Sequence, residues 1–315
     1  MARFRLIETG SIPDSPARTR EPERAPVRVG AVQSRWYPDP DEHRAVLAEG
    51  VETAVGAGAR LVCLQELTLL PYCAWERREE AQGTVEPESL EDGPTVTFAR
   101  EMAASTGAAI HISAYEASEE ATGGRGFNTA LVVMPSGQTA IRNRKLHIPV
   151  SAGYYEDTWF DAGPPGDPTP LLDIDGARFG FPTCWDQWFP ELARLYSLAG
   201  ADVIVYPTAI GSEPDFPGFD TEPLWERVIT ANGITAGTFM VAINRIGHEG
   251  PLVFYGSSFI SDPYGRVLVQ AGRDEHAVLV ADLDVDQRRD WLELFPFPQT
   301  RRPDAYGRLA RPDGD

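Results

Sequence analysis

Apolar residues along the chain fall into two patterns. Continuous apolar runs at Val27 to Gln33, Leu61 to Leu64, Ala177 to Thr183 and Asp202 to Thr208 have the length and β-branched content of buried strands. Between the first two, Ala45, Val46, Ala48, Val51 and Val55 repeat at helical spacing, and Gly56 and Gly58 mark a stop. This predicts a helix over Asp41 to Ala59. Further helices are predicted over Thr95 to Ser105, Phe189 to Ala201 and Trp225 to Thr238. Strand-like segments run from Ala108 to Tyr115 and from Phe127 to Met134. The turn Pro135-Ser136-Gly137 leads from the second into Thr139 to His147. Three more, Phe239 to Arg245, Phe254 to Leu268 and Ala277 to Asp284, follow the last helix.

Strands joined through helices imply βαβ units with a largely parallel interior. Adjacent strands near Ala109 to Met134 and Phe254 to Asp282 imply antiparallel edges. The expected fold class is therefore α/β, one mixed-sheet domain over residues 26–315. Residues 1–25, rich in Pro, Arg and Glu and without periodicity, read as a flexible N-terminal extension. From about Trp291 the chain holds anchoring aromatics but no periodicity, which predicts an extended C-terminal arm.

Charge narrows the partners. Lys+Arg is 28 and Asp+Glu is 47, a formal net charge of −19. Nucleic acid and anionic membranes both need a basic face, so neither is expected as a partner. No stretch approaches the roughly 20 apolar residues of a membrane span, and no apolar segment follows Arg3 and Arg5 to make a secretory signal. Cys63, Cys73 and Cys184 are too few, and odd in number, for a disulfide framework, which suits a reducing, cytoplasmic setting.

Several chemistries lack their signatures: there is no GxGxxG, Walker loop, GxSxG, HExxH or CxxC. Neither a metal nor an organic cofactor is expected. What remains is Cys184, at a strand-to-helix junction, where ligands meet open α/β sheets and free helix N–H groups favour negative charge. Cys63, in mid-strand, reads as core. A nucleophilic thiol needs a base, and two residues qualify: His147, and Glu66 just past an apolar strand. Lys145 is either a solvated surface lysine or a cation for that chemistry.

Together, LVCLQEL around Glu66, NRKLHIP around Lys145 and TCWDQWFPE around Cys184 resemble the nitrilase superfamily of carbon–nitrogen hydrolases from about Val27 to Tyr306. The resemblance implies a Glu66–Lys145–Cys184 triad with a second glutamate at Glu156, and leaves His147 as a structural neighbour. It implies an αββα sandwich pairing to a four-layer αββα–αββα homodimer or larger homo-oligomer. Segments 184–191 and 206–214 are most similar to members acting on N-carbamoyl amines. Substrate-binding positions are then expected at Trp185, Tyr72, Glu213 and Asp186. Glu213, with Asp186 second, would pair with a cationic far end of a small-molecule substrate. A rival N-carbamoyl amino acid would need an arginine clamp, with Arg245 or Arg227 to supply it. Pro182, the loop Gly163 to Pro168 and the insert Phe295 to Thr300 depart from the family pattern. Pro182 predicts a strand end or bulge just before Cys184.

Overall fold

The computed structural model describes residues 3–81, 85–166 and 168–311. Its first half holds β1 (Arg5–Glu8), β2 (Val27–Gln33), α1 (Pro40–Gly56), β3 (Leu61–Cys63), α2 (Pro94–Thr106), β4 (Ala109–Glu116), β5 (Phe127–Val133) and β6 (Thr139–Arg144). Next come β7 (Val150–Ser151), β8 (Tyr154–Tyr155), β9 (Leu172–Ile174), β10 (Ala177–Gly180), α3 (Pro190–Ala199), β11 (Val203–Pro207) and α4 (Glu222–Ala236). The chain closes with β12 (Phe239–Ile243), β13 (Ile246–Glu249), β14 (Leu252–Tyr255), β15 (Phe259–Ser261), β16 (Val267–Gln270), β17 (Ala277–Leu283) and α5 (Asp286–Leu294).

Two large sheets result, ordered β1-β17-β2-β3-β4-β5-β6 and β16-β15-β12-β11-β10-β9. Their centres are parallel, β2-β3-β4 in one and β10-β11-β12 in the other. Antiparallel pairs β4–β5, β5–β6, β12–β15 and β15–β16 flank them, as the strand spacing predicts. Val29, Ala31 and Leu61 of the first sheet pack against Phe179, Val205 and Val241 of the second. On the outer faces, Leu47 and Val51 of α1 and Phe98 of α2 cover Val32, Val62 and Ile110, while Tyr196 of α3 and Trp225 of α4 cover Ile204 and Met240. The layers are thus α, β, β, α. Strands covered on both faces have no polar side to show, which is why they read as continuous apolar runs. Each such side chain, fully buried, contributes about 1.5–3 kcal/mol.

Local signals set the element ends. The Asp39 side chain accepts the N–H groups of Asp41 and Glu42 at the start of α1. Gly180 carries no Cβ because one would sit 2.3 Å from the Tyr196 ring, so α3 lies directly on β10. The strand expected to reach Thr183 stops at Gly180, two residues before Pro182.

Two expectations are corrected. The N-terminal segment read as flexible is docked: β1 pairs in parallel with β17. Arg18 bonds Asp284 and Asp290 at 2.6 and 2.9 Å, and Arg24 bonds Asp202 and Asp286 at 2.9 and 2.8 Å. Met1 and Ala2 lie outside the described residues. Second, the arm expected from Trp291 begins later, because Trp291 sits within α5, donates Nε1–H to Ile234 O at 2.9 Å and meets the Phe295 ring tilted and the Phe297 ring edge-on. Asp167 of the proline-rich loop and residues 312–315 of the arm are outside the described residues. Among the described residues no helix is long and apolar enough to cross a membrane.

Candidate active site

Three strand ends converge at one edge of the sandwich. Glu66 follows β3, Lys145 follows β6, and Cys184 opens a short 3-10 turn, Cys184–Trp188, after β10. Lys145 Nζ donates to Glu66 Oε1 at 2.9 Å and to Glu156 Oε2 at 2.6 Å. Glu156 enters from the 3-10 turn Glu156–Thr158, and the Tyr72 hydroxyl donates to its Oε1 at 2.9 Å. All five side chains are buried, so Lys145 is not the solvated surface lysine that was its other reading. Burying charges costs several kcal/mol per ion unless they are paired, and here every charge has an opposite partner within hydrogen-bonding distance.

Burial pushes the Cys184 thiol well above its ordinary value; the Glu66 carboxylate adds to the rise and Lys145 opposes it. For Lys145 burial alone would lower the ammonium, but Glu156 and Glu66 outweigh it and hold it above the usual lysine range. Burial pushes Glu156 up to about 7, with Lys145 opposing and Glu66 adding. Cys184 and Leu67, the residue after Glu66, both adopt left-handed φ angles, 41° and 48°. Few non-glycine residues do so, and such strain collects at functional sites.

Cys184 lies in the wall of a small cavity with Trp185, Glu156, Tyr154, Ile210 and Glu213. Glu213 is half-buried, and burial raises its carboxyl, with the Thr221 hydroxyl opposing. It makes no ion pair among the described residues. Tyr72 stands behind Glu156, not in the cavity wall. Asp186, expected to touch substrate, does not line the cavity. Its carboxylate accepts the Thr183 N–H at 2.9 Å, the His147 N–H at 2.9 Å and His147 Nδ1 at 2.8 Å. It is fully occupied in holding the Lys145 loop to the Cys184 turn. By the same contacts His147 is engaged away from the thiol, stacked on Phe189 at 3.6 Å, and is not placed as a base. Arg245 is buried and donates to Glu249 and to the Glu66 and Leu67 carbonyls, while Arg227 is exposed on α4. Neither lines the cavity, so the arginine clamp is absent there. Burial raises the thiols of Cys63 and Cys73.

Sequence reasoning missed Asn128, whose Nδ2 donates to Glu66 Oε1 at 2.7 Å, Ser113, whose hydroxyl donates to Asn128 Oδ1, and the Arg245–Glu249 pair that clamps the Glu66 and Tyr72 segments, the Tyr72 N–H reaching Glu249 at 2.7 Å. One signal was available for Asn128: a polar side chain inside the apolar run Phe127 to Met134 must find a buried partner.

Residues 28–293 match the carbon-nitrogen hydrolase family. N-carbamoylputrescine amidase of Arabidopsis thaliana is 33% identical over 303 residues, covering 94% of this chain and 99% of its own. Citrullinase of Francisella tularensis is 30% identical over 295 residues, 91% of this chain and 99% of that one. The crystal structure of a carbon-nitrogen hydrolase from Helicobacter pylori superposes with a TM-score of 0.80 at 27% identity, covering 91% of this chain and 99% of that one.

Proposed function

The chain belongs to the carbon-nitrogen hydrolase family and is an amidohydrolase, and from that premise we propose that it cleaves a linear N-carbamoyl amine with a cationic far end. N-carbamoylputrescine or a close relative would be hydrolysed to the diamine, ammonia and carbon dioxide. Glu213 carries this reading: a half-buried carboxylate in the cavity wall with no ion-pair partner among the described residues. A desolvated ammonium needs such a partner. An anionic substrate would meet this carboxylate with no arginine to offset it. The net charge of −19 also attracts cations.

The residues act as follows. With the thiol neutral and both glutamates ionised, Glu66, Glu156 and Lys145 sum to one negative charge. A free thiolate would add a second, which burial opposes. Transfer of the Cys184 proton to Glu66 leaves the sum unchanged, so the proton moves as sulfur attacks the carbonyl carbon. Lys145 and the Trp185 N–H hold the resulting oxyanion, a role in which one donor is worth about 100- to 1000-fold in rate. Protonated Glu66 then gives its proton to the departing nitrogen as the C–N bond breaks, leaving a thioester on Cys184. Glu66 next takes a proton from water as its oxygen attacks the thioester; the C–S bond then breaks and the sulfur recovers that proton from Glu66, restoring the thiol. Glu156 and Tyr72 keep Lys145 aimed at the oxyanion. No step calls for a metal or cofactor.

This substrate would place the enzyme in the supply of a diamine, as in polyamine synthesis, and three free cysteines suit a reducing cytoplasm. We further propose a homodimer in which two αββα chains stack as αββα–αββα, helix layer on helix layer, through the outer face where α3 and α4 expose Leu195, Leu198 and Leu224. The test of substrate is kcat/KM for N-carbamoylputrescine beside N-carbamoyl-β-alanine and citrulline, with ammonia release as readout. The expected order puts the cationic compound first, and Glu213→Gln should weaken it selectively. Preference for the anionic compound would reject the reading.

A further inference from the structure

Glu66 has two carboxylate oxygens in different surroundings. Oε1 accepts from Lys145 Nζ at 2.9 Å and from Asn128 Nδ2 at 2.7 Å. Oε2 is buried and has no hydrogen-bond partner. The orientation of the Asn128 amide is fixed from behind. Ser113 Oγ accepts the Leu67 N–H at 3.0 Å, so its own proton is free to go to Asn128 Oδ1 at 2.9 Å. The acceptor end of the amide therefore faces Ser113 and the donor end faces Glu66. The Asn128 carbonyl also accepts the Lys145 N–H at 2.8 Å. One residue of β5 thus holds the carboxylate through its side chain and the ammonium through its main chain. Asn128 and Ser113 are both fully buried, so no water competes for these bonds.

We propose that Asn128, oriented by Ser113, is a positioning residue that fills Glu66 Oε1 and reserves Oε2 as the oxygen that takes and returns the reaction's proton. The proposal rests on the reading of Glu66 as the base. Two donors on Oε1 occupy its lone pairs and disfavour a proton there. Without Asn128, the carboxyl group can rotate about its last bond and both oxygens become open to protonation. The pool of correctly aimed base shrinks, while the cavity wall that meets the substrate is unchanged. The signature is a fall in kcat with little change in KM, plus a shift of the acid limb of the rate profile to higher pH.

The experiment is steady-state kinetics across pH on four soluble variants of the full chain. Asn128→Ala should lower kcat about 10- to 100-fold, the worth of a hydrogen bond to a charged group, with KM within about threefold and the acid limb moved up. Asn128→Asp, of the same shape but lacking the donor, should be at least as slow. Ser113→Ala should move the same limb by less. Glu66→Gln should be inactive. If Glu66→Gln is inactive but Asn128→Ala keeps wild-type kcat and pH profile, the positioning role is overturned and the base stands. If Asn128→Ala does not fold, an unchanged profile in Ser113→Ala overturns the role equally. Turnover in Glu66→Gln would instead remove the base itself.

Discussion

At the scale of single residues, Cys184 and Lys145 fail differently when removed. Cys184→Ala deletes a sulfur from the edge of a cavity and keeps the Cβ that the left-handed turn already tolerates. Ammonia release should vanish while the melting temperature stays near wild type; retained turnover in a pure preparation would sink the nucleophile. Because burial and Glu66 hold the thiol up, alkylation by iodoacetamide should be slow. It should still fall on Cys184 before Cys63 and Cys73, which are buried and do not line the Cys184 cavity. Lys145→Ala is another matter. Sequence alone allows it to be a surface charge with no cost on removal, but its Nζ balances two buried carboxylates. Breaking a buried pair leaves an uncompensated charge and costs roughly 3–5 kcal/mol. Both rate and denaturation midpoint should therefore drop, and Lys145→Ala combined with Glu156→Gln should recover part of the stability but none of the rate. A single variant as stable as wild type would show that the carboxylates discharge by taking up protons.

At the scale of elements, the N-terminal segment invites deletion. Residues 5–24 supply one strand and two arginines to the side chains of Asp202, Asp284, Asp286 and Asp290, each less than a tenth exposed. A chain starting at residue 25 should melt lower yet keep its kcat/KM, since nothing in that segment lines the Cys184 cavity. Equal melting curves would mean the segment adds no stability. The contribution should also depend on pH. Burial alone would raise the Asp286 carboxyl, but Arg24 and the amides of Glu23 and Arg24 pull it down to about 2. A depressed carboxyl stabilises fully above the ordinary aspartate value of about 3.9 and loses that contribution as pH falls toward 2. These elements were the ones sequence could not show. The strand Arg5–Glu8 acquires its pairing only from β17, some 270 residues away, and α5 (DQRRDWLEL) is polar along most of its length and held by ion pairs. Strands buried on both faces, by contrast, announce themselves as apolar runs, and the residues just past them, Glu66, Lys145 and Cys184, stand out as polar breaks. Direction is what the one-dimensional string lacks. Asp186 sits two residues from Cys184 yet faces His147, and Asn128, second in the apolar strand β5, faces Glu66.

For the whole molecule, assembly is a contest between charge and apolar area. Two chains each carrying −19 repel, so the proposed dimer must gain more from burying surface than it loses to that repulsion. The outer α3–α4 layer offers Leu195, Leu198 and Leu224, at 45%, 42% and 42% exposure, for a second copy to cover. The segment after Leu294 adds Phe295 and Leu309 at 48% and 69%. It packs on the rest of the chain mainly through Trp291, which leaves its outer side available to a second copy. Screening is short-ranged, with a Debye length of about 8 Å in physiological salt, so raising salt should tighten the dimer by removing repulsion while leaving apolar burial in place. Light scattering at low and high salt, on the full chain, on one ending at residue 294, and on Leu195→Glu with Leu198→Glu, separates the contributions. The expected result is a dimer that loosens at low salt, shifts toward monomer on truncation and is monomeric at both salts with two glutamates in the face. If the double variant keeps its size, copies meet through some other surface, and the αββα–αββα stacking fails with it.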